Sequence, residues 1–283
     1  MQAYSSFAQV YDTFMDNIPY GQWCEYLTGL LREYGVKDGL VLDLGCGTGN
    51  MTRLLADAGF DMIAVDNSEE MLMIARDKAM EASSDILYLL QDMRSFELYG
   101  TVGAVVSICD SMNYITDPKD LCQVFRLVNN YLDPGGVFIF DMNTLYKYRE
   151  QLGDRTIAEN RENCSFIWDN YFYEQEKINE YELSIFIRDD YDDDLWEDDG
   201  ADSAGSCVDA NDDAADASSG VPFLRFQETH YQRAYTLDEV RTLIEAAGME
   251  FVTAYDAFTK NPVRDTSERM YIIAREKGKI KGE

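Results

Sequence analysis

Short apolar runs alternate with amphipathic stretches through the first half of the chain. After Gly39 each apolar run is about four or five residues long, as in strands that are buried on both faces of a sheet. The stretches between them repeat apolar residues at helical spacing. This alternation predicts an α/β fold with a parallel sheet. The predicted strands are residues 40–44, 61–65, 86–90, 104–108 and 137–140, and the predicted helices are 50–58, 68–82 and 120–132.

The pattern changes on both sides of this unit. Before it, aromatic residues recur at helical spacing, which predicts two helices within residues 5–34. After it, apolar and polar residues alternate, which predicts a small second sheet of antiparallel strands. A helical pattern returns where Thr236 and Glu239 have the spacing of a capping box. The second sheet is predicted at 165–174, 177–188 and 221–235, the helix at 236–248, and two last strands at 251–257 and 269–274.

An acidic segment separates the last two predicted strands of the second sheet. Residues 189–216 contain 13 Asp and Glu and no Lys or Arg. Asp, Ala, Ser and Gly bury too little apolar surface to offset the entropy of ordering, so residues 189–220 are predicted to be a disordered loop. A calcium site is the alternative, but the segment has no EF-hand spacing, and we expect no metal site.

The composition restricts the function. With 24 Lys and Arg against 53 Asp and Glu, the formal charge of −29 opposes binding to nucleic acids and to anionic membranes. The six cysteines include no C-x-x-C pair, and the single histidine completes no zinc-ligand spacing. Since the chain also shows no secretory signal and no apolar run of roughly 20 residues, we expect a cytoplasmic protein with reduced thiols.

Residues 41–50 have the clearest chemical pattern, in which a buried strand leads into glycines at 45, 47 and 49. Glycines allow a sharp turn and a close approach of the backbone to a ligand, while the N–H groups of the following helix face that ligand. The loop differs from the dinucleotide-binding fingerprint, because Asn50 stands at the last glycine position. Asp43 would repel a pyrophosphate and attract a cation, such as the sulfonium and ammonium of S-adenosylmethionine (SAM).

The next two predicted strands also end in polar residues. Asp66 follows the second strand, at a position where an acidic residue binds ribose hydroxyls. Asp92 and Met93 follow the third strand and suit the amine and the face of an adenine ring. These strand ends therefore match three parts of SAM.

These motifs resemble those of the class I SAM-dependent methyltransferases. The resemblance rests on the D-x-G-x-G-x-G loop at 43–49, the D-x-S-x-x-M-L segment at 66–72, the Asp92-Met93 pair, the strand end at 108–114 and the Pro-Gly-Gly turn at 134–136. The motifs of the resemblance cover residues 39–143. The predicted order of helix and strands extends the resemblance to residues 236–274. The N-terminal residues Tyr4, Phe7, Tyr11, Asp12, Tyr20 and Trp23 look like those of small, largely uncharacterised bacterial members.

The resemblance implies SAM as cofactor and a Rossmann-like seven-stranded sheet with an antiparallel last strand. Residues 1–145 and 236–283 would form the methyltransferase domain with its N-terminal helices. Residues 146–235 would be an inserted antiparallel β lid that contains the loop 189–220. By motif position, the cofactor-binding residues would be Asp43, Gly45, Cys46, Gly47, Gly49, Asp66, Asn67, Met71, Asp92, Met93, Cys109, Asp110 and Ser111.

The acceptor side is assigned from reactive and aromatic side chains. His230, the only histidine, lies on a predicted lid strand and is either a structural group or a general base. Cys46 and Cys109 are interpreted as small turn residues rather than nucleophiles, because no histidine lies near them in sequence. The candidate catalytic residues are His230 and Tyr11, and the candidate substrate residues are Tyr4, Asn113, Tyr114 and His230.

The expected function is SAM-dependent methyl transfer to a nitrogen or oxygen of a small molecule. One alternative is an RNA (tRNA) methyltransferase, which the fold permits and the charge opposes. The other is a non-catalytic SAM-binding protein. The expected partner is a small-molecule acceptor, and we expect neither nucleic acid nor a membrane as a partner. A homodimer is possible.

Overall fold

The described chain is built around two sheets. The computed structural model describes residues 7–189 and 221–279, so Tyr4 and the predicted loop beyond Asp189 lie outside the described residues. In chain order, the elements are α1 (Ala8–Phe14), α2 (Tyr20–Glu33), β1 (Gly39–Leu44), α3 (Asn50–Asp57), β2 (Phe60–Asp66), α4 (Glu69–Glu81), β3 (Leu87–Leu90), β4 (Val102–Ser107), a 3₁₀ turn (Ser111–Tyr114), α5 (Pro118–Tyr131), β5 (Leu132–Asn143), a π-helical turn (Lys147–Leu152), β6 (Arg155–Asn160), β7 (Cys164–Tyr173), β8 (Ile178–Arg188), β9 (Phe223–Arg233), α6 (Leu237–Ala246), β10 (Glu250–Asp256) and β11 (Arg269–Arg275).

The first sheet has seven strands in the order β10-β11-β5-β4-β1-β2-β3. β1 pairs in parallel with β2 and β4, whereas β11 is antiparallel to both β5 and β10. Helices α5 and α6 cover one face of the sheet, and α2 and α3 cover the other. The predicted seven-stranded sheet with an antiparallel last strand is confirmed.

Helix ends in this domain follow from local hydrogen bonding. The side chain of Ser68 accepts from the backbone N–H of Met71 at 3.2 Å and caps α4. Asp117 caps α5, whose first residue is Pro118, where a missing N–H costs nothing. Thr236 and Glu239 form the predicted capping box of α6. The sequence therefore places these helix starts within a few residues.

The second sheet is antiparallel, in the order β6-β7-β8-β9. Its inner face packs Leu183 and Ile185 against Val10 and Phe14 of α1. Three of its strands match the prediction, but β6 was missed because RTIAEN has little apolar alternation. The predicted strand 137–140 was also too short, since β5 extends over residues 132–136 before it and 141–143 after it.

Within the described ranges 7–189 and 221–279, no helix is both long and apolar enough to cross a membrane.

Candidate active site

A cavity of about 280 Å³ lies at the carboxyl ends of β1 to β4. Because these strands are parallel, the loops that follow them meet at one edge of the sheet. The structure brings most of the predicted residues together there. The predicted residues that line the cavity are Tyr11, Asp43, Gly45, Cys46, Gly47, Asp66, Asn67, Met71, Asp92, Met93, Cys109, Ser111 and Tyr114.

The first two glycines of the loop face the cavity, and the third does not. Gly45 has φ +84°, and an added Cβ would lie 2.8 Å from Cβ and Oγ of Ser111. At Gly49, with φ +75°, an added Cβ would lie 2.7 Å from the hydroxyl of Tyr88. Gly49 is therefore required for packing against β3, and the structure places it outside the cavity lining.

Asp66 connects the glycine loop with the start of α4. Its Oδ2 accepts the backbone N–H of Gly47 at 2.8 Å, and its Oδ1 accepts that of Ser68 at 2.9 Å. Burial raises the pKa of this carboxyl group, and the hydrogen bonds partly oppose that shift. Each carboxylate oxygen can accept a second hydrogen bond, so Asp66 can still bind hydroxyl groups of a ligand.

Asp43 is the most deeply buried carboxyl group of the cavity lining. Thr52 donates to its Oδ2 at 2.6 Å. Burial raises the pKa of Asp43 to about 7, and the nearby Asp66 carboxylate acts in the same direction, while the Thr52 hydrogen bond opposes it. A cation in the cavity would favour the ionised form of Asp43. The residues present therefore fit the positively charged methionine part of SAM.

Asp92 is held by Arg94, a lining residue that the sequence analysis missed. The Asp92 carboxylate accepts the backbone N–H of Arg94 at 2.8 Å and its Nη2 at 2.5 Å. These contacts lower the pKa of Asp92, so the side chain is a fixed hydrogen-bond acceptor. Met93 follows it in the sequence and lines the same cavity.

The helix α1 is attached to the glycine loop through Asp12. Its Oδ1 accepts hydrogen bonds of 2.8 Å from Thr48 Oγ1 and from Asn50 Nδ2. Lys78 adds an ion pair, with Nζ 2.5 Å from Oδ2 of Asp12. This attachment brings the neighbouring Tyr11 to the cavity.

Tyr20, the first residue of α2, also lines the cavity and was not among the predicted site residues. Burial raises its pKa, so the phenol is neutral. Its position after Pro19, at a helix start, was the available sequence signal. Tyr11, Tyr20 and Tyr114 together supply three phenol groups to the lining.

The loop after β4 has two consecutive non-glycine residues in the left-handed region. Cys109 has φ +64° and Asp110 has φ +53°. Asp141 accepts both backbone N–H groups, at 3.3 Å and 2.7 Å. Arg269 bridges the two carboxylates, 2.7 Å from Asp141 and 2.6 Å from Asp110. The structure therefore turns Asp110 away from the cavity, in contrast to its predicted place beside the cofactor.

Two predicted acceptor-side residues also lie outside the cavity lining. The buried amide of Asn113 donates to the carbonyls of Asn143 and Arg233, at 3.2 Å and 2.8 Å, and joins the 3₁₀ turn to β5 and β9. His230 is buried behind Tyr114, with Nδ1 3.3 Å from the Tyr114 hydroxyl. Neither side chain is positioned to contact an acceptor in the cavity directly.

The thiols of the cavity lining are protonated. Burial raises the pKa of both Cys46 and Cys109 well above the ordinary value, and nearby aspartates add to the shift. A thiol is a poor nucleophile compared with a thiolate. This environment supports the interpretation of both cysteines as turn residues.

Comparisons with known proteins agree with this architecture. A methyltransferase domain model matches residues 41–136. The Bacillus subtilis protein named "Putative methyltransferase YqeM" is 32% identical over 273 residues, 96% of each chain. A SAM-dependent methyltransferase from Clostridium acetobutylicum superposes with a TM-score of 0.79 at 26% identity, over 98% of this chain and 100% of that one. The sugar N-methyltransferase KedS8 from Streptoalloteichus shares the fold, with a TM-score of 0.67 at 19% identity over 93% and 92%. The chain therefore belongs to the class I SAM-dependent methyltransferases.

Proposed function

We propose that this methyltransferase acts on a nitrogen or oxygen atom of a small molecule. When bound, SAM supplies an electrophilic methyl group on its sulfonium. The observation that carries the proposal is that three phenol groups line the cavity, those of Tyr11 on α1, Tyr20 on α2 and Tyr114 on the 3₁₀ turn. We infer that these tyrosines mark the acceptor end of the cavity, and a lining drawn from three parts of the chain suits a compact acceptor.

The opposite end of the cavity is proposed to hold the cofactor. Asp66 would accept hydrogen bonds from the ribose hydroxyls, and Asp92 with Met93 would contact the adenine. Gly45, Gly47 and Ser111 would line the methionine part, whose positive charge Asp43 would balance. The proposal for Asp43 and Asp66 is supported by their burial and by the acceptor capacity that remains on their oxygens.

The described parts of the predicted lid, residues 146–189 and 221–235, are proposed to cover the acceptor end. The inner face of the second sheet packs on α1, which carries Tyr11, and β9 carries His230 behind Tyr114. Covering this end would exclude water and hold the acceptor in line with the methyl group, which together reduce the barrier to transfer.

The charge distribution favours a small acceptor over RNA. Among the described residues that line the cavity, one is basic, Arg94. Its guanidinium already pairs with Asp92 at 2.5 Å and with Asp120 at 3.6 Å. The whole chain has a formal charge of −29. A phosphate backbone near the cavity would therefore meet carboxylates rather than available cations. The KedS8 likeness, to an enzyme named for a sugar acceptor, is compatible with a small acceptor.

The proposal is tested by following labelled methyl groups. The enzyme is incubated with methyl-labelled SAM and a cytosolic extract, which is then separated into small-molecule, RNA and protein fractions. We expect label in a small-molecule product that mass spectrometry can identify as N- or O-methylated. Label that enters only the RNA or only the protein fraction would overturn the proposal.

A further inference from the structure

Three side chains form a continuous line from the cavity into the second sheet. Tyr114 lines the cavity, and its hydroxyl oxygen lies 3.3 Å from Nδ1 of His230. On the other side of the imidazole, Nε2 lies 3.3 Å from Oε2 of Glu228. His230 and Glu228 are both buried, and they share one face of β9 because they are two positions apart. Tyr114 therefore lies between His230 and the cavity.

The carboxylate of Glu228 selects the nitrogen of His230 that holds the proton. An ionised carboxylate only accepts hydrogen bonds, so Oε2 of Glu228, 3.3 Å away, favours the ring tautomer with its proton on Nε2. Nδ1 is then an acceptor for the hydroxyl of Tyr114. This order, in which a carboxylate orients a base that faces a hydroxyl group, is the arrangement that activates a weakly acidic O–H.

Neighbouring groups hold this line of side chains in place. The ring of Tyr181 on β8 stacks on the imidazole of His230, with centroids 4.7 Å apart and planes at 6°. The hydroxyl groups of Tyr181 and Tyr114 are also in contact. The backbone N–H of Phe7 donates to Oε1 of Glu228 at 3.0 Å. The line is therefore supported from β8 and from the segment that leads into α1.

We propose that Tyr114 is the catalytic residue that removes the acceptor's proton, with His230 and Glu228 as positioning residues. This inference rests on the proposed function. As the acceptor nitrogen or oxygen bonds to the methyl carbon, the bond from that carbon to the sulfonium sulfur breaks and its electron pair stays on the sulfur. The N–H or O–H proton of the acceptor goes to the Tyr114 oxygen. The proton of Tyr114 goes to Nδ1 of His230, which leaves an imidazolium beside the Glu228 carboxylate. No electrons enter or leave. The acceptor class is thereby narrowed to molecules with a proton to lose at the methylated atom.

The first experiment measures the histidine directly and needs no acceptor. Because the chain contains a single histidine, ¹⁵N-histidine labelling gives one pair of ring-nitrogen signals. The groups that face this ring are Glu228 on β9, Tyr114 on the 3₁₀ turn and Tyr181 on β8. We expect a ring with hydrogen on Nε2 and none on Nδ1, and we expect Tyr114→Phe to shift the Nδ1 signal while Nε2 keeps its proton. A ring protonated on both nitrogens, or on Nδ1 alone, would overturn the proposal.

The second experiment measures methyl transfer to the small-molecule fraction of a cytosolic extract. At saturating SAM, Tyr114→Phe and Glu228→Gln are expected to slow transfer by about 100-fold, the typical size of a lost acid–base contribution. Both variants should bind SAM within about threefold of wild type, a difference of roughly 0.65 kcal/mol.

Tyr231→Phe is the matched control, since this tyrosine neighbours His230 on β9 but is exposed on the opposite face and donates to Glu180 at 3.2 Å. It should transfer at the wild-type rate. If Tyr114→Phe also transfers at that rate, the proposed role of Tyr114 is wrong. If wild type labels no small molecule at all, the proposed function fails instead, and the histidine spectrum still tests the line of contacts.

Discussion

The buried carboxylate of Asp43 accepts a hydrogen bond of 2.6 Å from the hydroxyl of Thr52. Burial raises the pKa of Asp43 to about 7, so the group is partly protonated at neutral pH without ligand. A cationic ligand lowers that pKa, because it favours the ionised form. SAM affinity should therefore be highest above pH 7 and fall as the pH decreases below it, with a proton released on binding. Calorimetry in buffers of different ionisation enthalpy measures that proton directly.

Thr52→Val tests the origin of this pH dependence. The substitution keeps the side-chain shape but removes a hydrogen bond to a charged group, worth about 1.5 kcal/mol, or roughly one pKa unit. We expect the pKa of Asp43 to rise, the affinity for SAM at pH 7 to fall by about three- to tenfold, and wild-type affinity to return at higher pH. An unchanged pH profile in Thr52→Val would show that Asp43 does not set the dependence.

Asp66→Ala should weaken SAM binding by about 10- to 100-fold, because hydrogen bonds to a charged acceptor are worth about 1.5 to 3 kcal/mol. The substitution also removes the acceptor of two hydrogen bonds, which the backbone N–H groups of Gly47 and Ser68 donate to Asp66 in the wild type. Asp61→Ala is the control, since Asp61 is an exposed carboxylate on the same strand. Titration calorimetry compares the two variants. Equal affinities in Asp66→Ala and wild type would remove Asp66 from the ribose role.

Gly45→Ala and Gly59→Ala separate backbone strain from crowding. Both glycines have positive φ, +84° at Gly45 and +99° at Gly59. A Cβ added at position 45 would lie too close to Ser111, whereas a Cβ added at position 59 would have no atom within 4 Å. Gly59→Ala should cost about 1 kcal/mol of unfolding free energy, and Gly45→Ala about 2 to 4 kcal/mol, together with weaker SAM binding. Thermal unfolding with and without SAM measures both effects. Similar losses in the two variants would contradict the close contact at Gly45.

Arg269→Met should be strongly destabilising. Arg269 pairs with both Asp110 and Asp141, and its removal leaves two poorly solvated carboxylates at a cost of about 3 to 5 kcal/mol. Burial raises the pKa of Asp141 and Arg269 opposes that shift, so without the guanidinium the pKa of Asp141 rises further. The loss of unfolding free energy in the variant should therefore be smaller at pH 5 than at pH 8. Arg264→Met is the control, since it breaks an exposed pair with Asp256, worth at most about 1 kcal/mol. Chemical denaturation at both pH values checks the difference.

The order of strands and helices was predictable where one local pattern determined each element. Runs such as residues 40–44 are apolar except for Asp43, because both faces of β1 are covered. The side chains of Thr236 and Glu239 cap α6 locally. β6 was not predictable, because its largely exposed residues are held by pairing with β7 rather than by an apolar pattern of their own.

In the cavity, the lining positions that could be predicted were those defined by the backbone. Gly45 and Asp66 follow from the geometry of a strand that leads into a loop. The position of Asp110 could not be predicted, because it depends on Arg269, which lies on a strand more than a hundred residues later. His230 is a similar case, since only the docking of β9 against the 3₁₀ turn decides that Tyr114 stands between the imidazole and the cavity.

The second sheet interrupts the chain between two strands that are neighbours in the first. Asn143 at the end of β5 pairs with Arg269 at the start of β11, so the whole of the second sheet is synthesised before that pair can form. During this time the nascent chain presents β5 as an open edge with unpaired backbone groups. Pairing of β5 with β11 is also slow, because the two strands are far apart in the sequence and the chain loses loop entropy before their contacts form. Completion of the first sheet should therefore be a late step in folding on the ribosome, at which β11 seals the edge most prone to aggregation.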